Sequence, residues 1–196
     1  MSRSDRRGQA LAAARRLIAA HGMAGFTLRT VARDAGIHHA TLLHYFPSKA
    51  ALLHALVDSL LVELRTPHSE VPSPSLGSGA LGAIRHEFHD ILYRLRQDMS
   101  LFVVMGELQL HARHEPEVRA QLERLDGAWS GYLAHLLRRG VEDGELRADL
   151  DVAATCLALM VQFKGITLQA AAGADLGDLE RAAAVIASQL DSWLLA

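Results

Sequence analysis

The spacing of apolar residues predicts helices along almost the whole chain. Leu11, Ala14, Leu17 and Ile18 recur at three- and four-residue intervals and predict a first helix over 5–21, with Gly22 ending it. Leu28, Val31, Ala32 and Ala35 repeat the pattern on a short second helix closed by Gly36. A third helix is expected over about 38–45. With Leu42 turned inward, Phe46 and His38 share its side, and Ala40 and His44 point away, flanked by Thr41 and Leu43. Ser48 is a good N-cap for a fourth helix from Lys49 to Arg65, striped with Leu52, Leu53, Leu56, Leu60 and Leu64. Residues 66–79, rich in Pro, Ser and Gly, read as a loop. Helices then follow over about 80–97, 99–113 and 116–139, from a cap at Asp149 or Asp151, and over 176–195. No strand pattern appears, so the expected class is all-α with about nine helices.

Helix, glycine turn, helix is a helix-turn-helix arrangement. Charge supports a separate function for that end. Residues 1–50 hold eight Lys/Arg against two Asp/Glu, while the remainder holds twelve against twenty. A basic module on an acidic body suits nucleic acid at one end. Arg3, Arg6 and Arg7 precede or open the first helix, and read either as a basic arm that reaches phosphate or a minor groove or as a solvated tail.

The stretch from Thr27 to Leu52 then becomes specific. Thr27, Val31, Ala32, Ala35, Gly36, Ile37, Leu42, Tyr45, Phe46, Ser48, Lys49 and Leu52 stand at the spacing of the DNA-binding signature of the TetR/AcrR family of bacterial repressors, which this chain resembles. It departs at Leu43, where the family usually carries a phosphate-binding tyrosine, and at His38, where Ser or Thr usually caps the reading helix. The resemblance implies a three-helix DNA-binding domain over 1–48 and a helical ligand-binding and dimerisation domain over 49–196, with 49–65 as connecting helix. It implies a homodimer that reads a palindromic operator in double-stranded DNA with its third helix in the major groove. Arg29, Ala40, Thr41 and His44 are then base-contact candidates, with His38 and His39 beside them. Tyr45 and Lys49 are phosphate-contact candidates.

The body offers material for an effector site. Thr155, Gln162 and Gln169 recur every seven residues on an otherwise apolar helix, beside Leu159 and Phe163. Phe102, Met105, Gln109, Trp129 and Tyr132 could complete an apolar cavity with few polar groups, the make-up of a site for a small apolar or amphipathic molecule. Lys164, a cation in an apolar stretch, has three readings: snorkelling to water, a pair with Glu107, or an anionic ligand. Ala154, Ala158, Val161, Gly165 and Leu168 form a stripe on helix eight, and Leu179, Ala182, Ile186, Leu190 and Trp193 one on helix nine. In the resembled family the last two helices form the dimer seam.

Other chemistries find little support. Gly77, Gly79 and Gly82 spell G-x-G-x-x-G but follow no strand, so a nucleotide site is not expected. His86 and His89 lack a third ligand, and the lone Cys156 lies in an apolar run. No catalytic constellation, cofactor or metal is expected. The run from Val152 to Phe163 is too short to span a bilayer, and a cytoplasmic protein is expected. The reading is a ligand-responsive repressor released from its operator by a small molecule. Alternatives are an architectural DNA-binding protein without ligand, or a small-molecule-binding protein or enzyme that has lost DNA binding.

Overall fold

A computed structural model describes residues 3–66 and 77–195; the expected loop over 66–79 and the Arg3 side chain lie largely outside them. The described residues form helices α1 (Arg3–Gly25), α2 (Leu28–Asp34), α3 (His39–Tyr45), α4 (Lys49–Arg65), α5 (Gly79–Gln97), α6 (Ser100–His111), α7 (Pro116–Glu142), α8 (Val152–Ala171) and α9 (Leu176–Leu194), and no strand. The fold is all-α, with a helix-turn-helix at the N-terminal end and a helical C-terminal part. The chain divides into two compact units: Met1–Pro67 with Ser100–Arg124, and His68–Met99 with Leu125–Ala196.

In the first unit α1 packs on α2, α4 and α6. Its inner face is small: Ala10, Ala13 and Ala14 are fully buried, so neighbouring backbones approach closely, and Ile18 supplies bulk. The expected stop at Gly22 is a break inside α1, where φ is +62° and ψ −169°. That break takes the Met23 amide out of the helical ladder. Glu107 of α6 supplies the missing acceptor: Met23 N–H donates to its Oε2 at 3.1 Å. Arg15 ties three helices, donating to Glu63 of α4 at 2.7 Å and to Ser100 of α6 at 3.1 Å.

In the second unit α5, α8 and α9 pack on one another. Its core holds Ile84, Phe88 and Leu95 of α5, Leu159, Phe163 and Ile166 of α8, and Leu179, Ala183 and Leu190 of α9. Ala80 and Leu81, at the exposed-amide end of α5, donate to the Glu145 carboxylate at 2.7 and 3.0 Å. Gly79 permits this, because a Cβ there would lie 2.2 Å from Glu145 Oε2. Cys156 is buried, and burial pushes its thiol up from the usual cysteine range.

Two expectations need correction here. The stripe on α9 is outward only in part: Leu179 and Leu190 are core residues, Ile186 and Trp193 are half-buried and Ala182 is exposed, while Val185, outside the expected stripe, is exposed as well. The error lies in phase, since a 19-residue helix with apolar residues on two sides gives periodicity no way to rank them. Lys164 pairs with Asp126 of α7, at 2.5 Å, and not with Glu107, whose carboxylate holds the Met23 amide.

Candidate nucleic-acid interface and effector site

The reading motif is assembled from local caps outward. Thr27 and Thr30 cap α2 reciprocally: Thr30 N–H donates to Thr27 Oγ1 at 3.1 Å, and Thr27 N–H to Thr30 Oγ1 at 3.0 Å. Gly36 turns the chain at φ +64°, a left-handed conformation that costs glycine little. Ile37 N–H then bonds back to Ala32 O at 3.0 Å, which fixes the turn before α3 begins. Ser48 accepts from Ala51 N–H at 3.0 Å and caps α4, with Lys49 in its first turn.

Helix α3 has only seven residues and is held by Leu42, fully buried, and Phe46, 2% exposed. Burying two such side chains contributes about 3–6 kcal/mol, enough to fix a helix too short to be stable alone. The opposite face is open: His39, Ala40, Leu43 and His44 are exposed, and Thr41 and Tyr45 half-buried. His38 is exposed rather than inward. It occupies the N-cap with extended backbone and makes no side-chain capping bond, which Ser or Thr would make with a shorter arm. Arg29 is exposed on α2. Lys49 is exposed too, its ammonium 5.3 Å from the Phe26 ring centroid, and Arg7 lies 5.6 Å from that of Phe46. Arg16 is tied to Asp34 at 2.7 Å across α1 and α2. Exposed basic residues thus stand on both helices that flank α3 in the chain, Arg29 and Arg33 on α2 and Lys49 on α4.

The sequence-chosen effector residues divide between the units. Phe102 and Met105 are core residues of the first unit, and Gln109 is exposed. Trp129, Tyr132, Leu159, Gln162 and Phe163 belong to the second. There the Phe163 ring lies 4.2 Å from that of Phe88 and 5.0 Å from that of Trp129, centroid to centroid. Leu159 is fully buried, and the Gln162 side-chain oxygen is buried without a hydrogen-bond partner among the described residues.

Pattern reading passed over Glu87. It lies on α5 one residue before buried Phe88 and accepts a hydrogen bond from the Trp129 indole N–H at 3.1 Å. Burial raises its carboxyl above the usual range. The Trp129 bond and the charges of His86 and Arg94 pull the other way, and Asp90 adds to the rise. Burial, and after it the same carboxylate, raises the Tyr132 phenol. A carboxylate three residues from Ile84 and four from Ile91, on the face that helix buries, was the signal available in sequence. A different site lies in the first unit: a cleft of about 290 Å³ lined by His54, Glu117, Ala120, Gln121 and Arg124. Gln121 there donates to Asp58 of α4 at 2.9 Å and keeps its own oxygen unpartnered. No group of three His, Cys, Asp or Glu among the described residues is arranged for a metal ion.

An exposed polar helix held across a glycine turn, ahead of a helical C-terminal part, is the arrangement of a DNA-binding transcriptional regulator. Residues 10–56 match the model of the bacterial regulatory proteins of the tetR family, and residues 83–195 that of the C-terminal part of BetI-type transcriptional repressors. The chain belongs to the tetR family. The HTH-type transcriptional repressor KstR2 of Rhodococcus jostii (strain RHA1) is 29% identical over 157 residues, 76% of this chain and 72% of that protein. Among solved structures, a putative transcriptional regulator from Saccharomonospora viridis in complex with choline is 20% identical with a TM-score of 0.73, over 99% of this chain and 100% of that one. FadR from Bacillus subtilis in complex with stearoyl-CoA is 18% identical with a TM-score of 0.72, over 92% and 96%. At such identities the likeness is one of fold.

Proposed function

We propose that this transcriptional regulator is a cytoplasmic repressor that binds a palindromic operator as a homodimer and leaves it when a small organic molecule enters the second unit. The observation that carries the reading is α3: a signature-matched helix whose small polar face is exposed above the buried anchors Leu42 and Phe46. On this reading Ala40, Thr41, His44 and Arg29 meet base edges, with His38 and His39 at the helix start. Lys49 and Tyr45 meet phosphate.

A face of α8 supports the homodimer. Leu157, Val161 and Leu168 are more than half exposed and flank exposed Gly165 and Ala154; Val185 and Ala182 extend the apolar surface onto α9. The whole helix is long and apolar enough to cross a membrane, yet its other face is spent on the core residues Leu159, Phe163 and Ile166. One-sided exposure of this kind fits a second copy of the chain, with two α8 and two α9 in the seam.

Release requires an effector that binds the non-operator shape more tightly than the operator shape. Within the first unit α2 and α3 pack on α1, and α1 is tied to α4 by Arg15–Glu63 and to α6 by Glu107–Met23. Helix α7 contributes residues to both units, and its Gln121 bonds Asp58 of α4. The test is a gel shift on the DNA flanking the protein's own gene, with and without candidate compounds. Retarded DNA that one compound frees is the expected result. Absence of retardation by the intact dimer sinks the operator reading. Retardation that no effector relieves would favour an architectural protein.

A further inference from the structure

Helix α3, with the sequence HATLLHY, carries no Arg, Lys, Asn, Gln, Asp or Glu. Those are the side chains that identify a base by paired hydrogen bonds or by accepting from cytosine. The long cationic side chains sit on the neighbouring helices instead. Arg29 and Arg33 are exposed on α2, and Lys49 is exposed in the first turn of α4. These charges complement phosphate on either side of a face that is itself short and mostly uncharged. Buried Leu42 fixes which residues of α3 form that face. A step of two residues is about half a helical turn, so Ala40 and His44 lie opposite Leu42. Both are exposed. The His44 ring meets the Tyr45 ring edge to face at 5.4 Å and supplies the polar half of this ridge. Ala40 supplies a bare methyl group at the other half.

A methyl group set against a purine acceptor or a base amino group takes that group out of water and returns no bond. One major-groove feature of the bases is apolar, the C5-methyl group of thymine. Set against that group, the alanine methyl and the thymine methyl leave water together, which is favourable for both. We infer that the operator half-site carries a thymine opposite Ala40, recognised through contact of the two methyl groups and not through a hydrogen bond. The inference rests on the operator reading and names a base that the operator must hold. It also commits α3 to the major groove, because the thymine methyl projects into that groove alone.

The test starts by selecting duplexes from a random pool with the full-length protein. Each thymine of the selected site is then replaced singly by deoxyuridine, which keeps every hydrogen-bonding group and loses only the methyl. One thymine in each half-site should cost about fourfold in affinity on replacement, the worth of one buried methyl group. In Ala40→Gly the same replacement should cost nothing, since the protein partner is gone. Ala40→Gln, a good helix former that presents an amide, should abolish the uracil penalty too and turn the selected base at that position to adenine. Affinity for unselected duplex, measured beside each variant, shows that the fold and the phosphate contacts stand. A selected site with no uracil-sensitive thymine overturns the proposal and leaves the operator reading in place. So does a uracil penalty of unchanged size in both Ala40 variants. Failure of the parent protein to select any duplex sinks the operator reading, and this inference with it.

Discussion

Helices α3 and α8 each turn one face to solvent, and the two faces have opposite chemistry. On α3 the exposed side chains are His39, Ala40, Leu43 and His44; on α8 they include the large apolar Leu157, Val161 and Leu168, with Gly165 among them and Gln169 as the one polar group. Water solvates most of the first face at no cost, so its exposure alone demands no partner. The second face leaves large apolar groups in water and gains from being covered. A regulator needs both kinds: one that meets DNA reversibly and one that holds two reading helices at a fixed spacing. The comparison teaches that exposure acquires meaning only with chemistry attached.

Breaking the α8 face should have the largest effect. An added Cβ at Gly165 meets nothing within 4 Å, so Gly165→Glu fits the single chain. In a covered seam the same carboxylate is a buried unpaired charge, worth about 3–5 kcal/mol. Sedimentation should show monomers, and operator affinity should fall at least about a hundredfold. A stable dimer in that variant would place the interface elsewhere. The α3 side is probed by Lys49→Ala. Operator affinity should drop roughly tenfold on all sequences alike, and the slope of log affinity against log salt should shrink by about one phosphate contact. An unchanged slope would remove Lys49 from the backbone.

Leu43→Tyr sharpens the comparison further, because Leu43 is the one large apolar group exposed on α3, at 38%. A hydroxyl there should add a phosphate bond of about 0.5–1.5 kcal/mol and tighten operator binding a few-fold. Equal affinity would mean that this position faces away from the DNA. The smallest effect concerns Glu87. Its folded carboxyl titrates above the unfolded one, so the native state holds its proton longer. Stability is therefore lost as pH rises from the ordinary glutamate value through the raised one. Glu87→Gln should be slightly more heat-resistant than the parent at pH 7, with the gain vanishing by about pH 4. A gain that persists at the acid end would point to packing instead.

How much of this was legible depended on distance along the chain. The helix-turn-helix was written locally: Thr27, Gly36, Leu42, Phe46 and Ser48 each act within a few residues, and the caps and turn follow from their types. The outer stripe of α8 was legible for the same reason. Lys164 was not, since its partner Asp126 lies 38 residues away and periodicity says nothing about which helices meet. Glu107 was one of three readings for Lys164, yet it answers a break at Gly22, a contact 84 residues apart for Met23. Glu87 escaped notice because a helix pattern is read from its apolar positions, and a lone acid among them looks like noise until Trp129 is seen to donate to it.

The shortness of α3 has a consequence in time. Seven residues held by two anchors, with no side-chain bond at the His38 cap, make a segment that opens without the rest of the molecule unfolding. Its amide hydrogens should exchange with solvent deuterium far sooner than those of Leu52 to Leu60 on α4, and operator DNA should slow them more than any others in the chain. Association would then carry the closing of one short helix as a hidden kinetic step.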